Sequence, residues 1–225
     1  MIIPLSYSIT TKTPLYPNTP GPVIHRLRSI EQGDRTNSSS ITISAHSGTH
    51  IDAPWHFCNP GKTILGCLES DTSFFPTYCI DILKPISEEI TTHELKQSIS
   101  YIKDAEALLI RTGWYTQRLK TPELYCTDHP WVSPEVPQYL REQCPGLRLF
   151  GLDQISVSSS LHRKDGHECH RKFLCGEKPI LLLEDLNLAD PRIKEVFGMH
   201  IYPHFIDETD GIPVTVIAEI KGLNY

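Results

Sequence analysis

The chain has 225 residues, 39% hydrophobic and 21% charged, with 21 Lys+Arg against 27 Asp+Glu for a net charge of −6. That length suits one domain spanning residues 1–225 with a sizeable core, and a mean hydropathy of −0.24 is ordinary for a globular protein. The acidic balance argues against nucleic acid or an anionic membrane as partner, and no window approaches the roughly 18–20 apolar residues of a membrane span.

The start, Met1-Ile2-Ile3-Pro4-Leu5, has no basic segment followed by an apolar core, so no signal peptide is expected. Cys58, Cys67, Cys79, Cys126, Cys144, Cys169 and Cys175 are odd in number and form no Cys-x-x-Cys pair. That pattern predicts reduced thiols in a cytoplasmic protein rather than a disulfide framework or a zinc ribbon. Residues 1–24 hold five prolines, which predicts a short strand over Ile2–Ile9 followed by an extended loop. Residues 25–40 are polar, end in Asn37-Ser38-Ser39-Ser40, and read as a surface turn with His25 in solvent. A strand over Ile41–Ala45 then leads into the most informative stretch.

Between Ser44 and Phe57, the candidate ligands His46, His50, Asp52 and His56 all occupy even positions. The odd positions are largely apolar and β-branched, the alternation of a half-buried extended segment with its polar groups on one face. In an extended chain His50 and Asp52 lie roughly 6–7 Å apart, close enough to converge on one ion, whereas His46 would stand about 13 Å from His50. Convergence therefore requires a bend, which Gly48 permits, and Pro54 supplies a second break that returns His56 toward the others. Imidazole and carboxylate together suit Zn2+ or Mn2+, and two histidines with one aspartate leave positions open for water. The competing reading is a strand with scattered surface histidines.

The motif His-x-Gly-Thr-His-x-Asp-x-Pro-x-His-Phe, present from His46 to Phe57 without a mismatch, resembles the signature of the metal-dependent cyclase family. That family includes bacterial kynurenine formamidases and isatin hydrolases. Leu5-Ser6, Leu15-Tyr16-Pro17 and Pro20 also resemble its N-terminal segment. The resemblance implies a mixed α/β fold of swivelling β/β/α type, with a β-rich barrel-like or two-sheet core and helices outside.

Further along, Thr77–Ile82 reads as a strand and Thr91 caps a helix through about Ser100. Ala107–Thr112 is a buried strand delivering Gly113-Trp114 to a loop, and Arg111-Thr112-Gly113 resembles the family. Ser133 and Pro134 open a helix to about Cys144, and Leu147–Asp153 is another strand, whose Asp153 braces a loop or a ligand histidine or simply ends the strand. Ile180–Leu183 is a buried strand ending in the carboxylate Glu184. The resemblance makes His170, with His167 as the alternative, and Glu184 metal ligands. At the end, Met199–Ile206 and Val214–Ala218 are strands, with Asp210-Gly211 turning one into the other; His200 and His204 are free to line the site.

The implied chemistry is hydrolysis of an amide, formamide or cyclic amide by metal-activated water. His46, His50 and Asp52 would hold a first metal, with Asp52 bridging to a second held by His170 and Glu184. His56 would serve as the catalytic acid/base or as a further ligand. Trp55, Phe57 and Trp114 are candidate aromatic walls for a flat substrate, with core packing as the competing role for each. One or two ions, Zn2+ or Mn2+, and a homodimer or homotetramer are the expected cofactor and assembly. A lactone hydrolase or cyclase of secondary metabolism, and a metal-binding protein without turnover, are the alternatives.

Overall fold

A computed structural model describes residues 1–222. In chain order the strands are β1 (Ile2–Pro4), β2 (Val23–Arg28), β3 (Ser38–Thr42), β4 (His50–Asp52), β5 (Ser73–Phe74), β6 (Thr77–Asp81) and β7 (Glu89–Ile90). They continue with β8 (Ala107–Arg111), β9 (Trp131–Val132), β10 (Leu149–Leu152), β11 (Leu181–Glu184), β12 (Val196–Pro203) and β13 (Gly211–Ile220). The helices are α1 (Ile64–Leu68), α2 (Thr92–Lys96), α3 (Ile99–Ile102), α4 (Tyr115–Lys120), α5 (Pro122–Thr127), α6 (Val136–Gln143) and α7 (Arg163–Leu174).

The main sheet runs β5-β12-β13-β4-β11-β10-β8-β6, with β1 added beside β13. One half, β6-β8-β10-β11, is parallel; the other is antiparallel. The parallel strands are buried on both faces, which is why their sequences are continuous apolar runs. Leu109, Leu149, Leu181 and Leu183 pack in one core with Met199, Ile201 and Val216 of the antiparallel half. Leu108, Ile110, Phe150 and Leu182 pack in the other against Val136 and Leu140 of α6 and Cys169 and Phe173 of α7. The antiparallel half thus curls over one face, bringing β12 beside β6, while helices cover the opposite face. The result is the mixed α/β, nearly closed barrel-like sheet that the resemblance implied.

Several local expectations are corrected. The first strand stops at Pro4, where the proline-rich loop begins. Residues 25–40 are no surface turn: β2 and β3 pair as a separate two-stranded ribbon, almost wholly exposed, with its turn between Arg28 and Ser38. The segment from Ile41 to Phe57 is not one half-buried strand; Ile41 is 65% exposed, and only His50–Asp52 is in the sheet. Gly48 at φ +65° and the 3-10 turn Pro54–His56 interrupt it on either side. Thr91 and Glu94 form a capping box, but the helix ends at Lys96, and Ile99–Ile102 is a separate turn. α6 starts at Val136 rather than Pro134, because the Ser133 amide bonds Ile90 and keeps that segment extended. The last two strands are joined by residues 204–210 rather than a tight Asp-Gly turn.

The expectation of uniformly reduced thiols is also corrected. Cys58 and Cys175 form a disulfide across a sequence separation of 117, because the turn after His56 packs against the end of α7. The remaining described cysteines are free. The bridge ties two segments that meet only in the folded chain, so its main effect is to restrict the unfolded one. Replacing both cysteines by serine should lower unfolding free energy by about 2–4 kcal/mol. Urea denaturation of both proteins without reductant checks this; an unchanged midpoint would show that the bridge restrains nothing.

A second stability feature is His129, fully buried just ahead of β9 with its Nδ1–H donated to Pro130 O at 2.7 Å. Burial pushes its pKa down to about 4 from 6.5. Between those values the unfolded chain takes up a proton that the native ring refuses, so stability falls as the pH drops from 6.5 to 4. The loss should approach about 3 kcal/mol. His129→Gln should lack that share of the acid sensitivity when urea midpoints at pH 7 and pH 4.5 are compared; identical pH profiles would refute it.

Candidate metal centre

Strand β4 is short, fully buried and flanked on both sides, and its register assembles the site. His50 pairs with Glu184 of β11, and Asp52 pairs with Leu182 on that side and Gly211 of β13 on the other. Direct cross-strand partners hold their side chains within about 5 Å, so His50, Asp52 and Glu184 project together from the middle of the sheet. α7 lays His170 over them, and the Phe57 ring stacks on His170 with centroids 4.6 Å apart.

The polar atoms face one another at distances that are long for hydrogen bonds. His50 Nε2 is 3.5 Å from Asp52 Oδ1 and 3.4 Å from Glu184 Oε2. His170 Nε2 is 3.8 Å from Asp52 Oδ2 and 3.7 Å from Glu184 Oε1. Donor atoms each roughly 2.0–2.2 Å from a shared tetrahedral ion would be about 3.4 Å apart, so the spacing fits a common cation.

The tautomers agree. His50 Nδ1–H donates to Gly48 O at 2.8 Å and His170 Nδ1–H donates to Gly166 O at 2.8 Å. Each bond leaves Nε2 as the bare nitrogen turned inward, the usual orientation of a ligating imidazole. Glu184 Oε1 is oriented by the Val157 amide at 2.7 Å and the Ser156 hydroxyl at 3.1 Å. Two buried carboxylates with two inward imidazole lone pairs constitute a donor set suited to a divalent ion.

A second network adjoins the first through Asp52. His46 Nδ1 contacts Asp52 Oδ1 at 2.8 Å, its Nε2 contacts Asp210 Oδ2 at 3.0 Å, and His56 Nδ1 contacts the same Asp210 oxygen at 2.8 Å. The close approach depends on Gly211, where a Cβ would fall 2.5 Å from His46 Cε1. Burial pulls the His46 pKa down, but Asp52 and Asp210 outweigh it and raise the value to about 10. Burial likewise favours the neutral Asp52 carboxyl, yet the neighbouring imidazoles, His46 first, hold it well below the usual carboxylate range. Hydrogen bonds from His46 and His56 do the same for Asp210. In His50 the facing carboxylates overcome burial and raise the pKa, whereas burial lowers that of His170.

These ligand-type groups line a cavity of about 420 Å³. Its outer wall is Tyr16, Asn18, Thr19, Pro20, Ser44, Ile155, Ser158 and His167. Of the residues named from sequence, His46, His50, Asp52, His56, His170 and Glu184 are thus brought together. The grouping differs from the expected one: His50 lies with Asp52, Glu184 and His170, while His46 lies with Asp52 and His56. His170 is buried among the carboxylates and His167 stands exposed at the rim.

Neither tryptophan belongs to the cavity wall. Trp114 is 4% exposed in a small core with Tyr125 and Ile155, its Nε1–H donated to Lys84 O, and Trp55 turns outward at 43% exposure. Phe57 does line the cavity. Asp153 braces the loop after β8 by accepting from the Thr112 and Gly113 amides. His200 instead bonds Ser73 and Glu219, outside the cavity. Asp210, read only as a turn residue, is the group that sequence reasoning missed; its Asp-Gly-Ile-Pro context was visible, but its reach to His46 and His56 spans more than 150 residues. Ser156 stood in the sequence only as the end of Gly151-Leu152-Asp153-x-x-Ser156, a segment that resembles the family, and the Val157 amide left no motif.

Comparison with known proteins assigns the chain to a family. Residues 3–159 match the family model described as putative cyclase. The chain is 35% identical over 225 residues to the kynurenine formamidase of Geobacillus thermodenitrificans, with 98% of each chain covered. The fold is shared with isatin hydrolase A from Labrenzia aggregata, at a TM-score of 0.79 and 20% identity over 99% of this chain and 94% of that one. It is shared also with isatin hydrolase A from Ralstonia solanacearum, at a TM-score of 0.81 and 17% identity over 98% and 92%. With most of its length matched and its motif seated in one cavity, the chain belongs to the cyclase family.

Proposed function

We propose that this protein is a metal-dependent hydrolase that opens the C–N bond of a formamide or small cyclic amide, with N-formylkynurenine-like and isatin-like compounds as the substrate class. The observation that carries the reading is the inward set of His50, His170, Asp52 and Glu184 atoms 3.4–3.8 Å apart. Its likeness to a kynurenine formamidase across nearly its full length supports the same class. These four residues would hold the cation. A bound Zn2+ or Mn2+ supplies Lewis-acid polarisation of a carbonyl and brings the pKa of water toward neutrality.

The remaining roles belong to the chain. His56 lines the cavity, and its Nδ1 is held by Asp210, which leaves Nε2 to exchange protons. It accepts the proton of the attacking water and returns one to the leaving nitrogen. Asp210 stays ionised and keeps the ring in one tautomer, as an orienting carboxylate does behind a catalytic histidine. A cavity of about 420 Å³ admits a one- or two-ring compound.

The ribbon β2–β3 stands beside this cavity: Asn18–Pro20 precede it, Ser44 follows it, and both segments line the wall. Ile24, Leu27 and Ile41 are each more than half exposed on it, and a lone two-stranded ribbon is marginal in water. This supports assembly as a homodimer through the ribbon.

His56→Ala should lower kcat by about 10²–10⁴-fold with metal content per chain unchanged. Hydrolysis of N-formylkynurenine and isatin, with and without a chelator, alongside elemental analysis, makes the test. A metal-loaded wild type that cleaves neither compound, or a variant as active as wild type, would overturn the reading. For the assembly, Ile24→Lys with Ile41→Lys should shift the light-scattering mass to that of a monomer; a monomeric wild type would refute the dimer.

A further inference from the structure

Immediately behind the centre, outside the cavity wall, lies a buried polar cluster with no part in the chemistry above. Asp185 follows Glu184 directly and leaves β11 at φ +55°, a left-handed conformation that side chains seldom adopt without support. The support is complete. Arg118 of α4 grips its carboxylate with both prongs, Nε to Oδ1 at 2.6 Å and Nη2 to Oδ2 at 2.7 Å. The Tyr125 hydroxyl of α5 donates to Oδ1 at 2.5 Å, and the Asp185 amide donates to Gln154 O at 2.8 Å. The Arg118 guanidinium lies 3.7 Å over the Tyr7 ring.

The last free atom of Asp185, its carbonyl oxygen, accepts the Thr49 hydroxyl at 2.6 Å. Thr49 in turn accepts the Tyr7 amide at 3.0 Å and immediately precedes His50. The cluster therefore grips the residue after Glu184 and the residue before His50, and Glu184 and His50 are direct cross-strand partners. Arg118 also neutralises the Asp185 carboxylate, which stands one residue from Glu184.

We propose that Asp185, locked by Arg118 and Tyr125 and coupled through Thr49, is the positioning residue that sets the spacing of Glu184 and His50 for a divalent ion. The inference rests on the metal-centre reading given above. A pure stability role is a poor account of the pair, since a buried ion pair is generally matched in stability by apolar residues of similar volume. What such residues would not supply is the hydrogen bonding that holds Asp185 left-handed and its carbonyl on Thr49.

The test is Co2+ binding to metal-free protein, followed by titration and by the visible absorption of the bound ion. Thr49→Val keeps the shape of the side chain and removes one hydroxyl; it should weaken Co2+ affinity about 10–100-fold and alter the absorption bands, while Thr49→Ser restores both. Arg118→Lys, which keeps the charge but loses the two-pronged grip, should resemble Thr49→Val. Thermal melts confirm that each variant is folded, and a variant that fails to fold is replaced by Tyr125→Phe, which removes one bond to the same carboxylate. Wild-type protein that takes up no Co2+ would overturn the metal-centre reading and this inference with it. Wild-type uptake with unchanged affinity and spectrum in Thr49→Val and Arg118→Lys overturns this inference alone.

Discussion

Two carboxylates, Asp52 and Glu184, are buried at 1% and 3% exposure in the middle of the main sheet, and the rest of the structure is arranged around that fact. Burying one such charge without compensation is prohibitive, and burying two on adjacent strands is worse. The compensation is visible in layers. His50 and His170 turn their Nε2 atoms toward the pair, the His46 ring bonds Asp52 from the other side, and the Val157 amide caps Glu184. A dication would complete the balance at the spacing those atoms already hold.

The sheet explains why this can be built at all. β4 is the junction between the parallel and antiparallel halves, so each of its three residues has a partner on both sides. A strand in that position cannot slip by one residue without turning Ile51 into the site and both ligands into the core, so the register is strongly determined. The parallel half delivers Glu184 at the end of a strand, where loops and helix ends gather, and the antiparallel half delivers Asp210 from the loop before β13. Supporting contacts on the far side, through Asp185, Arg118 and Thr49, hold the same two strands from behind.

The ligand-type residues come from the sheet, the motif and α7, whereas much of the cavity rim comes from loops. Tyr16, Asn18, Thr19, Pro20 and His167 come from the proline-rich loop and the first turns of α7, segments outside the sheet. Loops are where a fixed scaffold varies its substrate. The disulfide between Cys58 and Cys175 ties the turn after His56 to the end of α7, so it joins two of the segments that frame the cavity.

The motif and the apolar runs were legible from the sequence because both are local. Alternation and continuous hydrophobicity mark the strands, Gly48 and Pro54 mark the bends, and the spacing of His46, His50, Asp52 and His56 marks a possible ligand set. What lay beyond one window was not legible. The alternation from Ile41 onward was real, but it belonged to an exposed ribbon and a three-residue strand rather than to one half-buried strand. Trp114 had the composition of a cavity wall and became core because α4 and α5 close over it. By itself, then, the sequence determined the apolar strands of the main sheet, the family and the residue types of the site. Only the tertiary structure decided which groups meet: that His170 rather than His167 faces the carboxylates, that Asp210 orients His56, that Asp185 backs Glu184, and that two of the cysteines are joined. Each of those contacts links positions far apart in the chain, and such contacts are set by strand register and helix docking, which no local pattern of residues encodes.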